Sequence, residues 1–224
     1  MAEYSIGPLE IQGYQQKDVP NRFFRNVGPA TGIAVLLPGL RYSNDMPLLY
    51  YPARYFLNKG FDILQVNTDY SSDQFSQSSP DRQIDWLGSD ARAAVQTVLA
   101  QRDYPHLVLV AKSIGTLALS MLLINQPELR SRTTIWLTPL FRLPLVEQAT
   151  QQLSGPALFV AGTGDSTYDP ERLAYLQQHI QAEALIFPQA NHSLEIPGDL
   201  PGSIDNLQEM MHGIADFVDR CVFA

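Results

Sequence analysis

The chain is predicted to fold as an α/β protein, a mainly parallel sheet with helices on both faces, and three observations predict it. Short apolar runs alternate with longer helix-period stretches through most of the 224 residues, punctuated by Gly, Pro and Asp. This is the pattern of parallel strands joined by crossover helices. Several runs are almost wholly apolar, as strands buried on both faces must be. Hydrophobic residues make up 45% of the chain and charged residues 17%, ample for a covered sheet and too little charge for a disordered chain. At this length one domain over residues 1–224 is the simpler expectation.

Strand-like runs occupy residues 33–37, 61–66, 107–111, 134–137, 157–161 and 184–187. Helix-period stretches lie at about 47–59, 82–101, 114–125, 142–153, 170–180 and 203–220. Pro47 and Pro170 stand where a first helical turn tolerates a residue without an amide hydrogen. The first thirty residues differ: Leu9-Glu10-Ile11-Gln12 and Arg22-Phe23-Phe24-Arg25 read as two strands with no helix between them, so the sheet is expected to begin antiparallel. No solenoid-period repeat is present. The one biased stretch, residues 71–80, is a polar loop holding a single aromatic, Phe75. Because it follows a strand it is expected at the carboxyl edge of the sheet, where open α/β sheets bind ligands, with Phe75 as a candidate apolar contact. A mobile, solvated connection is the competing reading.

The formal net charge is −8 and no lysine- or arginine-rich run occurs, so the counterion release that drives nucleic-acid binding has no source, and an anionic membrane is no better a partner. A small-molecule substrate is the expected partner. The only cysteine, Cys221, is near the C-terminus, which excludes an intrachain disulfide and a multi-cysteine metal site. The N-terminus has no basic segment leading into an apolar one, and no window reaches the ~18 apolar residues of a membrane span. A cytoplasmic location is the expectation that follows.

The run 107–111 passes directly into Lys112-Ser113-Ile114-Gly115-Thr116-Leu117-Ala118-Leu119-Ser120, an apolar helix of small residues, with serine at the turn. The plainer role for that serine is a helix N-cap. The whole junction, however, resembles the nucleophile elbow G-x-S-x-G of the α/β-hydrolase family, where small residues two before and two after the serine let a sharp turn clear the strand and helix. Ala111 replaces the first glycine and keeps the position small. Ser5-Ile6-Gly7 repeats the triplet, but no buried strand precedes it and no helix pattern follows.

The resemblance implies an α/β-hydrolase fold: a mostly parallel sheet of about eight strands, Ser113 as nucleophile, and an oxyanion hole of two backbone amides. One amide is that of Ile114, at a helix N-terminus that favours an anion. The other is that of Leu40, because Pro38-Gly39-Leu40-Arg41 resembles the family's H-G-x loop with proline in place of histidine. Glycine there lets backbone pass close to the reacting centre.

Of the four histidines, His106 precedes a strand, and His179 and His212 fall inside helical patterns. Only His192 follows the last strand, the place where the family carries its general base. The acid belongs after the preceding strand, where Asp165 and Asp169 both occur. Asp165, three residues after Gly162, resembles the family's G-x-x-D, whereas Asp169 precedes Pro170 and reads as a helix N-cap. The acid would orient the imidazole and stabilise the imidazolium. No metal and no cofactor are implied.

Only about twenty residues separate Leu137 from the strand at Pro156, so a large cap is not expected. Candidate substrate contacts are then Arg41 and Tyr42 beside the oxyanion loop, Phe75, Phe141 and Tyr168. A guanidinium at Arg41 would suit a carboxylate or phosphate on the substrate, against the plainer reading of a solvated arginine. Lys112 either tunes the site or pairs with a nearby carboxylate, the second being plainer. The function expected is hydrolysis of a small carboxylester or thioester through an acyl-enzyme. The rivals are a peptidase or acyltransferase with the same triad, which a substrate panel separates, and a non-catalytic binding protein, against which the intact Ser113, Asp165 and His192 argue.

Overall fold

The structure, a computed structural model, describes residues 3–223. Its centre is an eight-stranded sheet in the order β1-β2-β4-β3-β5-β6-β7-β8. The strands are β1 (Tyr4–Gly7), β2 (Asn21–Asn26), β3 (Ile33–Leu37), β4 (Asp62–Val66), β5 (Leu107–Lys112), β6 (Thr133–Leu137), β7 (Ala157–Gly162) and β8 (Ala182–Phe187). β1 and β2 pair antiparallel, β2 joins β4 antiparallel, and every other pairing is parallel. The helices are α1 (Pro47–Asn58), α2 (Asp73–Ser76), α3 (Pro80–Leu99), α4 (Ile114–Asn125), α5 (Pro144–Gln151), α6 (Pro170–His179) and α7 (Leu200–Val222).

The nearly unbroken apolar strands alternate between two cores. Ile33, Val35 and Leu37 of β3, with Leu107, Leu109 and Ala111 of β5, face the side covered by α3 to α6. Ala34, Leu36, Val108 and Val110 face the side covered by α1 and α7. By the same alternation Lys112 points to the α1 and α7 side. The chain steps from β3 to β4 on one side and then returns to place β5 on the other. The carboxyl ends of β3 and β5 therefore flank the topological switch point, where α/β sheets open a crevice.

The antiparallel start is present, but one strand of it is displaced. Residues 9–12 are not a strand. The Asn21 side chain accepts from the Leu9 amide and donates to its carbonyl, both at 2.8 Å, so a side chain takes the place of a partner strand. Only an isolated bridge, Gln12 to Asp18, remains, and the edge strand is Tyr4–Gly7, which contains the misleading Ser-Ile-Gly triplet. Helix α7 begins earlier than its apolar period implies because Asp199 caps it, accepting from the Gly202 amide at 3.0 Å. Between β6 and β7 the only helix is α5, and no cap is inserted. Among the described residues no helix is long and apolar enough to cross a membrane.

Candidate active site

The end of β5 turns into α4 with no intervening loop, and Ser113 occupies the turn at φ 55° and ψ −120°. A non-glycine residue with positive φ costs about 1–3 kcal/mol, and such residues gather where function holds them. Of the seven such residues among those described, Arg41, Ser113, Thr138, Gln189 and Leu194 all lie in turns after strands β3, β5, β6 and β8. The Ser113 turn is held by its amide donating to the Leu137 carbonyl at 3.0 Å. It is also held by the approach of α4 to β3, since a Cβ on Gly115 would stand 2.4 Å from the Leu37 carbonyl oxygen.

The three residues expected to act together are brought together. The loop after β8 carries His192, whose Nε2 lies 2.7 Å from Ser113 Oγ and whose Nδ1 lies 2.6 Å from Asp165 Oδ2. The Asp165 side chain is 2% exposed and that of His192 is 36% exposed. Burial pushes the Asp165 carboxyl up, but the hydrogen bond from His192 and those from the Thr167 amide and hydroxyl more than offset it, leaving the group below its ordinary value. The two Thr167 bonds, each 2.9 Å, go to Oδ1. Asp169 is the N-cap of α6, accepting from the Arg172 amide at 2.9 Å.

The loop after β3 closes over the elbow. Gly39 and Tyr42 bridge each other across Leu40 and Arg41, and a Cβ on Gly39 would meet Tyr42 Cβ at 3.0 Å, Lys112 Cδ at 3.1 Å and Ser113 Cβ at 3.4 Å. Among the described residues neither the Leu40 amide nor the Ile114 amide has a hydrogen-bond partner, so two donors next to Ser113 are free. A cleft of about 320 Å³ opens beside this loop, walled by Pro38, Gly39, Arg41, Tyr42, Asn67 and Asp69 among others. A larger hollow of about 370 Å³ lies between α3 and α4, and none of Ser113, Asp165 or His192 is on the walls of either.

The candidate substrate contacts divide. Arg41 and Tyr42 line the cleft, and Tyr168 is half-buried beside the Asp165 turn, its amide donating to the Asp165 carbonyl at 3.1 Å. Phe75 is not a pocket wall: it turns inward between Tyr70 and Trp86, ring centres 5.1 and 5.6 Å away. Phe141 is likewise buried, 5.5 Å from the Phe159 ring. An apolar aromatic in a polar loop gains more from closing the core than from lining a wet cleft. Lys112 has no carboxylate partner among the described residues, so its expected ion pair is absent. The residue is 1% exposed, and its ammonium donates to Thr138 Oγ1 at 3.2 Å and to the His192 carbonyl at 3.1 Å. Sequence reasoning missed Thr167, although Asp165-Ser166-Thr167 is an Asx-turn signal. It also missed the Asn67–Asp69 wall, which no sequence signal marks.

The architecture is that of the α/β hydrolases: the eight strands, their order and the elbow at the switch point define the fold, without a cap. Solved structures of the same fold cover almost the whole chain at low identity. An esterase of Pyrococcus furiosus superposes with a TM-score of 0.69 at 13% identity, over 99% of this chain and 93% of that one. A serine hydrolase without a lid from Xanthomonas campestris gives 0.66 at 19%, over 97% and 94%. Est1E of Butyrivibrio proteoclasticus, a structure with bound ferulic acid, gives 0.73 at 12%, over 96% and 99%. No family model and no curated protein sequence matches the chain.

Proposed function

We propose that the chain is a serine hydrolase that cleaves a small carboxylester or thioester through an acyl-enzyme. The observation that carries this reading is the unbroken hydrogen-bonded series from Asp165 through His192 to Ser113, with the serine in a strained elbow. Ser113 Oγ attacks the carbonyl carbon while its proton passes to His192 Nε2. The oxygen takes the negative charge and is received by the Leu40 and Ile114 amides, one such donor being worth about 10²–10³ in rate. The intermediate collapses, the C–O or C–S bond to the leaving group breaks, and the alcohol or thiol departs with the proton from Nε2. Water then attacks the acyl carbon, giving a proton to Nε2, and Ser113 leaves with that proton restored. Each proton is moved by one imidazole, so the scheme calls for neither metal nor organic cofactor.

The test is labelling by a fluorophosphonate, followed by a panel of chromogenic esters and thioesters. Wild type is expected to label and Ser113→Ala to remain unlabelled; equal labelling of the two, or none in folded wild type, would sink the reading. His192→Ala should abolish turnover while His179→Ala leaves it intact.

A further inference from the structure

Lys112 is one of only three lysines in the chain, and the other two, Lys17 and Lys59, reach solvent. It ends β5 immediately before Ser113, and its side chain runs beneath the site toward the loops from β3 and β8. An ammonium has three N–H donors. Two are taken by Thr138 Oγ1 and the His192 carbonyl, and Nζ also lies 4.5 Å from the centre of the Tyr42 ring. Thr138 holds a positive φ of 44°, its amide donating to the Val160 carbonyl at 2.7 Å. One buried cation thus joins the elbow, the oxyanion loop, the end of β6 and the histidine loop. The titratable and charged groups facing it are Tyr42 after β3, Asp165 after β7 and His192 after β8, with Glu195 acting on Tyr42 from behind.

We propose that Lys112 is a positioning residue for the reaction: its ammonium fixes the His192 backbone, and hence the imidazole, against Ser113, and its charge balances that of the buried Asp165 carboxylate. This rests on the hydrolase reading above. Before attack the site holds Asp165 negative and Lys112 positive, and the reaction needs His192 as the free base. A cation beside the histidine loop opposes further positive charge there, so its removal is the change to which the acid limb of the reaction should respond. Burial lowers the Lys112 ammonium to about 8, with Asp165 partly restoring it, so the group stays mostly charged at neutral pH.

The experiment is the rate of fluorophosphonate labelling as a function of pH in the full chain, for wild type, Lys112→Met and Lys112→Gln. Loss of the cation is expected to move the acid limb of the profile upward by about 0.5–1 pH unit in both variants. The plateau rate should fall by about tenfold in Lys112→Met, and by less in Lys112→Gln, which keeps a donor. A lysine that only held the fold together would lower melting temperature and plateau rate without moving the limb. An unmoved midpoint in variants that still label overturns the proposal, whereas failure of wild type to label overturns the hydrolase reading instead. Should neither variant fold, ¹³C spectra of the three lysines in wild type decide. The Lys112 Cε signal is expected to inflect at the pH of the acid limb and to lose that inflection in His192→Gln, and no inflection in wild type refutes the coupling.

Discussion

At the residue scale, the arrangement around Asp165 makes a sharp statement about proton position. Both Thr167 donors point at Oδ1, which leaves Oδ2 alone to face His192 Nδ1. In Asp165→Asn the same donors would hold the amide oxygen in the Oδ1 place and turn the NH₂ toward the ring. Nδ1 would then have to accept, the ring proton would move to Nε2, and Ser113 would face a donor instead of a base. The labelling rate is expected to fall by about 10³–10⁴-fold, with little change in unfolding midpoint. Asp169→Asn, a swap between two good caps, should leave labelling unchanged. Equal losses in the two variants would mean that Asp165 acts only through the turn it shares with Thr167.

At the element scale, the elbow depends on how near α4 comes to β3, and Gly115 sets that distance. A methyl group there would meet the Leu37 and Pro38 carbonyl oxygens at 2.4 and 2.7 Å, and backbone cannot swing aside as a side chain can. Gly115→Ala is expected to cost about 1–3 kcal/mol in urea unfolding and to slow labelling further, because the Ile114 amide moves with the helix. Gly28→Ala, with nothing within 4 Å of the new carbon, should change stability by less than about 0.5 kcal/mol. Similar costs at both positions would show that the packing of α4 on β3 is not what fixes the turn. The parallel strands and this junction were legible in sequence because burial on both faces leaves an apolar run and a sharp turn leaves small residues. The strand expected at 9–12 was not, since one asparagine from a later strand satisfies its backbone. Phe75 and Phe141 misled for a related reason: both do follow strands, but whether an aromatic faces the cleft or the core is decided by what stands behind it. For Lys112 the plainer of two readings was a pairing with a nearby carboxylate, because its three contacts come from residues 42, 138 and 192, a convergence that no local pattern records.

At the scale of the whole molecule, a fully buried ammonium without a carboxylate at hydrogen-bonding distance is a standing cost, and it ought to appear in the pH dependence of stability. A lysine in an unfolded chain titrates near 10.4, whereas in the fold Lys112 is lowered to about 8, chiefly by desolvation. Below the lower value both states hold the proton and the folded state bears the whole cost, about 3 kcal/mol for a shift of this size. Between the two values the folded protein has released a proton that the unfolded chain keeps, so stability from this group rises with pH. Above the upper value both states are neutral and the cost is gone. Other groups titrate in the same range: burial raises Cys221, Tyr55, Tyr70 and Tyr104, which act in the opposite sense. Since they are common to wild type and Lys112→Met, the difference in unfolding free energy between the two isolates the lysine, with Tyr42, raised to about 12, the one titrating group in contact with it that also lies above this window. That difference is expected to shift toward wild type by about 2–3 kcal/mol between pH 7 and pH 10 in urea titrations. A difference that stays flat over this range would mean that the ammonium keeps its proton in the fold as long as it does in the unfolded chain, so that its burial carries no such cost. A steeper rise, of about 4 kcal/mol, would mean that the amine is already neutral at pH 7, and the charge balance assigned to it beside Asp165 would then be lost, leaving only its hydrogen bonds to the His192 carbonyl and Thr138.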